Sequence, residues 1–291
     1  MPEAPELSGA VSFLARRCQG VLISDIQVSA LSAVKTAEPP LQSLVGQPIT
    51  EVRRRGKYLI LQAAEAAIVV HLSRAGWLVW RPAVPAARLR PGRGRVSARI
   101  SFVDHDGVVV GCLDLTEAGT QKRLAIWVAE DAELLDPVAR LGPEATGLTA
   151  DQLGSILEAG GASHLKTVLR NQSSLAGIGN AYSDEILYRA RLSPARRANS
   201  LNDDETDRLF DALTACLAEA VALAEEADDL SALKDTKRRH FRVHGRAGEE
   251  CSVCGTIIAS VSSGDSSYQY CPGCQTDGKR LPDHRLSRLL R

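Results

Sequence analysis

This chain has no net charge: 35 Lys and Arg residues balance 35 Asp and Glu across 291 residues. That balance excludes a protein that coats nucleic acid through bulk charge, although local clusters can still set the field near a groove. No run of eighteen apolar residues occurs, which excludes a membrane-spanning helix. Hydrophobic residues nevertheless make up 44% of the chain, enough for real cores. There is no internal repeat, and the length accommodates two domains of ordinary size. No secretory leader opens the sequence, so a reducing, cytoplasmic setting is expected. Cys18, Cys112 and Cys216 lie among apolar neighbours and read as small core residues.

The other four cysteines are arranged for chemistry. Cys251-x2-Cys254 and Cys271-x2-Cys274 form two knuckles sixteen residues apart. Such pairs converge on one tetrahedral Zn²⁺, with two disulfides or free thiols as the alternatives. Residues between them read as a hairpin, with Ile257 and Ile258 on one arm, Ser262-Ser263-Gly264-Asp265 as turn, and Tyr268 and Tyr270 returning. So little apolar content cannot fold on its own core, and metal would supply the folding free energy.

Apolar spacing predicts an amphipathic helix over about 6–19, then short β-type runs to about 135. The clearest are Tyr58–Leu61, Ala67–Val70, Trp77–Trp80, Val108–Val110 and Leu124–Val128, with a Pro- and Arg-rich loop over 81–95. This pattern predicts an antiparallel sandwich or barrel. Beyond a linker at 136–148 the character turns helical. Thr149 caps one helix, Leu165, Val168 and Leu169 mark a second, a Gly-rich corner opens a third, and a long one runs over about 203–226. Expected domains are therefore 1–135, 149–240 and 241–291.

Three further places carry potential chemistry. In Met1-Pro2-Glu3-Ala4-Pro5-Glu6, removal of the methionine would expose a secondary amine of lower pKa than lysine, able to attack an electrophilic carbon. Glu3 lies beside it as a proton donor and acceptor, unless the segment is only a helix start. Gly177-Ile178-Gly179-Asn180 lets backbone approach a phosphate at a helix N-terminus. Arg54-Arg55-Gly56-Lys57-Tyr58, between two strands, offers a lysine as a point charge.

Taken in this order, with Leu141-Gly142-Pro143-Glu144, Lys166-Thr167, Asn171-Gln172, Gly245-Arg246 and Cys271-Pro272-Gly273-Cys274-Gln275, these motifs resemble the formamidopyrimidine-DNA glycosylase / endonuclease VIII family over nearly the whole length. The resemblance implies an α+β protein: an N-terminal antiparallel β-sandwich flanked by helices, then a helix–two-turn–helix domain and a zinc-finger hairpin. It implies a monomer holding damaged duplex DNA with the lesion flipped out, associated with the nucleoid when bound. Implied roles are Pro2 as nucleophile, Glu3 as proton shuttle, Glu6 as support and Lys57 as phosphate contact. DNA would be gripped by Asn180, Arg74, Lys166, Gly177, Gly179 and Arg246, and one structural Zn²⁺ held by Cys251, Cys254, Cys271 and Cys274. The activity implied is excision of oxidised or ring-opened bases with AP lyase strand cleavage; the alternative is a damaged-DNA binder with little catalysis.

Departures from the family pattern shape these expectations. Asp265 stands where an arginine is usual, with Arg242, Arg246 and Lys237 as candidate substitutes. Arg74 replaces a void-filling methionine. The segment Asp114–Gly119 is read in place of the family's Asp-Pro-Arg-Arg-Phe-Gly loop, removing its arginine and aromatic wedge. No Gly-Gly-Thr loop lies between Ala222 and His240, which disfavours 8-oxoguanine as the main substrate. The basic stretch from Lys279 to Arg291 is expected to add phosphate contacts.

Overall fold

The computed structural model describes residues 1–118, 122–263 and 266–283. Two compact units emerge, one from Met1–Arg140 with Val221–Thr236, the other from Leu141–Ala220 with the chain from Lys237 onward. The break at Arg140 falls inside the linker read from sequence. Residues 221–236, read as part of the helical domain, instead pack with the first unit. The cysteine knuckles belong with the helices.

The first unit is built on two four-stranded antiparallel sheets. Helix α1 (Ala4–Cys18) starts two residues before the expected point, because Glu3 and Glu6 form a reciprocal capping box and Pro5 sits in its first turn. Strands β1 (Leu22–Val28), β2 (Ile49–Arg55), β3 (Tyr58–Ala63), β4 (Ala67–His71), β5 (Gly76–Arg81), β6 (Val96–Val103), β7 (Val109–Glu117) and β8 (Ala125–Ala129) follow. One sheet runs β1-β6-β7-β5 and the other β2-β3-β4-β8. Leu59 to Leu61 and Ile68 to Val70 are all buried, so these strands are covered on both faces and read as continuous apolar runs. Leu7, Phe13 and Leu14 of α1 join Ile23, Phe102 and Leu115 from the sheets in one core, which also takes in Ala224, Leu230 and Leu233.

Asp114 to Glu117 lie inside β7 and do not form a loop. Asp114 is fully buried, its oxygens 2.7 Å from Arg99 Nε and 2.7 Å from Arg81 Nε. The segment therefore cannot stand in for a wedge loop. The β7–β8 connection, of which 119–121 lie outside the described residues, instead carries Lys122 and Arg123.

Short α2 (Asp136–Ala139) belongs to the first unit; the second holds α3 (Ala150–Gly160), α4 (Leu165–Arg170), α5 (Asn180–Arg189) and α6 (Asp203–Glu225) up to Ala220. Thr149 and Gln152 close a capping box on α3, as the sequence predicts. Leu153, Leu165, Ile178, Ile186, Leu213 and Phe241 share the helical core. Helix α7 (Leu233–His240) leads to the cysteine region, where β9 (Ala259–Ser263) pairs antiparallel with β10 (Ser266–Tyr270), before α8 (Pro272–Gln275). Ile257 and Ile258 precede the hairpin arm; Ile257 bridges Glu250, just before the first knuckle, instead. Gly264 and Asp265, and residues 284–291 of the basic tail, lie outside the described residues. Among those described, no helix is long and apolar enough to cross a membrane.

Candidate functional site

The N-terminal residues are not a loose leader. Pro2 is buried, and Glu3 and Glu6 are 2% and 3% exposed. The Glu3 carboxylate accepts the Glu6 amide, and the Glu6 Oε2 accepts the Glu3 amide at 2.8 Å. Both carboxylates thus sit at the positive end of a fifteen-residue helix, where negative charge is favoured. Pro2 borders a recess of about 10 Å³ with Leu72, Trp77, Leu230 and Leu233, room for no more than one water. The recess wall is tied down by Trp77 Nε1, which donates to the Leu230 carbonyl at 3.0 Å, and by Lys234 Nζ, 4.5 Å above the Trp77 ring.

Gly56 and Lys57 form the two-residue turn between β2 and β3, with Arg55 paired to Tyr58. Gly56 has φ +54°, a conformation glycine supplies at low cost. Lys57 is only 6% exposed, so it is not the solvated surface charge that such a turn usually carries. Arg54 fixes the hairpin to α1 through Ser8 Oγ at 2.8 Å. Beside Lys57 lies His71, its ring tilted 36° against Tyr58 at 4.8 Å between centroids. Burial, reinforced by the Lys57 charge, lowers His71 to about 4 and keeps it neutral. No sequence signal assigned His71 a role. Arg74 is exposed at the β4–β5 turn, next to Ser73 at φ 53°.

In the second unit, Gly177 adopts φ +102° and Gly179 stands at the N-cap of α5, with Asn180 as its first residue. Gln172 holds this corner from inside: its Oε1 accepts the Gly177 amide at 3.1 Å and its Nε2 donates to the Ile178 carbonyl at 2.7 Å. Asn180, first in α5, donates from Nδ2 to Ser267 Oγ at 3.4 Å. Its Oδ1 is buried with no hydrogen-bond partner, an orphan a bound water or ligand donor would satisfy. Phosphate chemistry is what such a helix start suits.

Lys166 is a correction. It is fully buried, ion-paired with Asp184, and donates to the Ser267 carbonyl at 2.6 Å. Asp184 further accepts the Gln269 amide at 3.2 Å and contacts His244 Nδ1 at 2.8 Å. Neighbouring Glu185 accepts the amides of Arg242, Val243 and His244; burial raises its pKa against those three bonds. These side chains clamp α5 to β10, and none of Lys166 reaches solvent to meet DNA. Arg246 is half-buried and pairs with Glu249 at 2.8 Å. Of the suggested substitutes for an arginine at 265, Lys237 lies 5.1 Å above the Tyr182 ring, whereas Arg242 is exposed.

The sulfurs of Cys251, Cys254, Cys271 and Cys274 all lie within 4.8 Å of one another. Zn–S bonds of about 2.3 Å at tetrahedral angles imply sulfurs about 3.8 Å apart; the separations here are 3.8 Å for Cys251–Cys274, 3.3 Å for Cys254–Cys271 and 3.5 Å for Cys274–Cys254. All four are free thiols, so the disulfide alternative falls. Thr256 hydrogen bonds bring Cys254 down to about 6, while burial pushes Cys271 up to about 11, a penalty a bound cation would reverse. The donor set fits one structural zinc.

Comparison with known proteins places these parts. Residues 1–119 match the formamidopyrimidine-DNA glycosylase N-terminal domain, 141–230 the formamidopyrimidine-DNA glycosylase H2TH domain, and 248–276 a zinc finger found in FPG and IleRS. A formamidopyrimidine-DNA glycosylase of Heliobacterium modesticaldum is 34% identical, covering 94% of this chain and 100% of that protein. An uncharacterised formamidopyrimidine-DNA glycosylase-like protein of Mycobacterium tuberculosis is 45% identical over 151 residues, 52% of this chain and 94% of its own length. The solved complex between Lactococcus lactis Fpg and abasic-site DNA superposes with a TM-score of 0.80 at 25% identity, over 94% of this chain and 99% of that one.

Proposed function

The chain belongs to the formamidopyrimidine-DNA glycosylase family, and from that premise we propose that it excises oxidised or ring-opened bases from DNA and then cleaves the strand at the resulting abasic site. The observation that carries this reading is the start of the chain, where Pro2, Glu3 and Glu6 are buried together on the capped end of α1, with Lys57 buried in the hairpin that Arg54 bolts to the same helix.

With Met1 attached, the Pro2 nitrogen is an amide; once the methionine is removed it is a secondary amine. Its lone pair then attacks C1′, the N–C1′ bond forms, and the damaged base departs with the glycosidic electron pair and a proton. Glu3 as acid protonates O4′ as the ring opens to an iminium ion; the resulting carboxylate takes the C2′ proton as the 3′ phosphate leaves, and loss of the C4′ proton then expels the 5′ phosphate. Lys57 supplies a phosphate contact from its hairpin, Asn180 supplies one from the start of α5, and Arg74, at the tip of its turn, occupies the space that the base vacates. The zinc hairpin is held for this purpose by the Lys166–Asp184–His244 cluster.

Borohydride trapping tests the chemistry. Native protein, checked by mass spectrometry for loss of Met1, should form a covalent adduct with an abasic-site duplex, and Pro2→Gly should form none. An adduct that survives the substitution, or no adduct with processed native protein, would refute the mechanism.

A further inference from the structure

We propose that the β-sandwich unit carries a second anion site, away from the proline, that takes a backbone phosphate of the same DNA molecule several nucleotides from the lesion. The inference rests on the DNA-binding reading above and extends it to residues given no role there.

The argument begins with strand register. Gly76 of β5 pairs with Glu117 of β7, Val96 of β6 pairs with Thr116, and Val28 of β1 pairs with Ala98. The starts of β5 and β6 and the ends of β7 and β1 therefore lie at one end of the sheet. The connections at that end bring a row of cations: Arg74 before β5, Lys122 after β7, Arg93 before β6 and Lys35 after β1. Pro2 meets the same end, since its recess is walled by Leu72 and Trp77.

Between Ser29–Ser32, Pro91–Ser97 and Lys122 this end opens into a pocket of about 290 Å³. Arg93 and Lys122 line it, and among the described residues no carboxylate does. Lys122 Nζ donates to the Glu117 carbonyl at 2.6 Å, and nearby Lys35 Nζ to the Ser32 carbonyl at 2.5 Å, so each ammonium is positioned by one bond and keeps two donors. Glu117 is turned away: it is 1% exposed and its Oε1 accepts the amides of Arg123 and Leu124. Arg93 has no side-chain partner among the described residues, and its planar fork suits a phosphodiester. Leu31, 75% exposed at the rim, gives the deoxyribose an apolar contact.

Distance fixes which phosphate is meant. Two spacings of about 4.8 Å set the start of β6, where Arg93 lies, about 10 Å from β5. At about 3.4 Å per nucleotide along a DNA strand, that is about three steps from the nucleotide at Arg74.

Full-length protein should be titrated with lesion duplexes in which single phosphates are replaced by neutral methylphosphonates. Substitution about three steps from the lesion should weaken native binding roughly three- to tenfold, and have no effect on the Arg93→Ala/Lys122→Ala double variant. That variant should show a salt slope shallower by about one unit, with borohydride trapping at saturating DNA unchanged. Native binding that ignores phosphates at these steps, or a variant with the native slope, overturns the second site while leaving the repair reading intact. Native protein that binds none of the duplexes overturns both.

Discussion

Replacing Lys166 by methionine separates two accounts of this residue. As a phosphate contact it would contribute to DNA affinity and salt dependence, and its loss would leave the fold untouched. The structure instead places it at zero exposure against an Asp184 carboxylate of zero exposure. Removing the ammonium leaves an uncompensated buried charge, held only by the Gln269 amide and by His244, which is 24% exposed. Breaking such a pair costs on the order of 3–5 kcal/mol. For a protein of this size, at roughly 2–4 °C per kcal/mol, that corresponds to a melting point lower by about 6–20 °C. Because two units need not unfold together, hydrogen exchange at Ser267, Gln269 and the α5 amides is the sharper assay, and it should accelerate there first. Lys166→Met/Asp184→Asn should recover most of the loss, since it removes both charges. The salt slope of DNA binding, measured below the transition, should stay native. A Lys166→Met variant of native stability whose slope falls by about one unit would refute the reasoning.

Two other perturbations follow from the first unit. His71 is held near 4 in the folded protein against an ordinary value near 6.5, so the unfolded chain binds the extra proton between those values and stability must fall as pH drops through that window, by up to about 3 kcal/mol; His71→Asn should flatten this part of the native pH–stability curve, and an unchanged curve would sink the assignment. At Gly9 a Cβ would lie 2.4 Å from the Ala224 carbonyl oxygen and 2.9 Å from its Cβ; Gly9→Val should therefore cost about 1–3 kcal/mol in thermal or urea unfolding, whereas native stability would show that this packing yields freely.

Local chemistry was the most legible part of the sequence. Thr149, the Gly56-Lys57 turn and the cysteine knuckles follow from offsets of two or three residues, and each formed where expected. Strands β1 and β6 were hidden, and β2 was marked only by the turn that follows it, because their alternation is disturbed. β1 carries a register shift between Ile23 and Asp25, β2 ends in three arginines, and β6 buries Arg99 against Asp114. A buried arginine reads as a surface residue until its partner fifteen positions away is known. Lys166 was misread for the same reason, because its partners at 184 and 267 are set by packing and leave no mark in spacing. Gln172 was in view beside Asn171, yet its hold on the Gly177 corner needs the turn geometry before it can be recognised.

The return of residues 221–236 to the first unit has a consequence for biosynthesis. At about 5–20 residues per second a ribosome needs roughly 5–20 s to pass from Arg140 to Thr236. Through that interval a nascent sandwich waits with Gly9 and Trp77 facing solvent, missing Ala224, Leu230 and Leu233. The wall beside Pro2 is thus supplied last, and a translation product halted before it would bear Pro2 in an unfinished pocket.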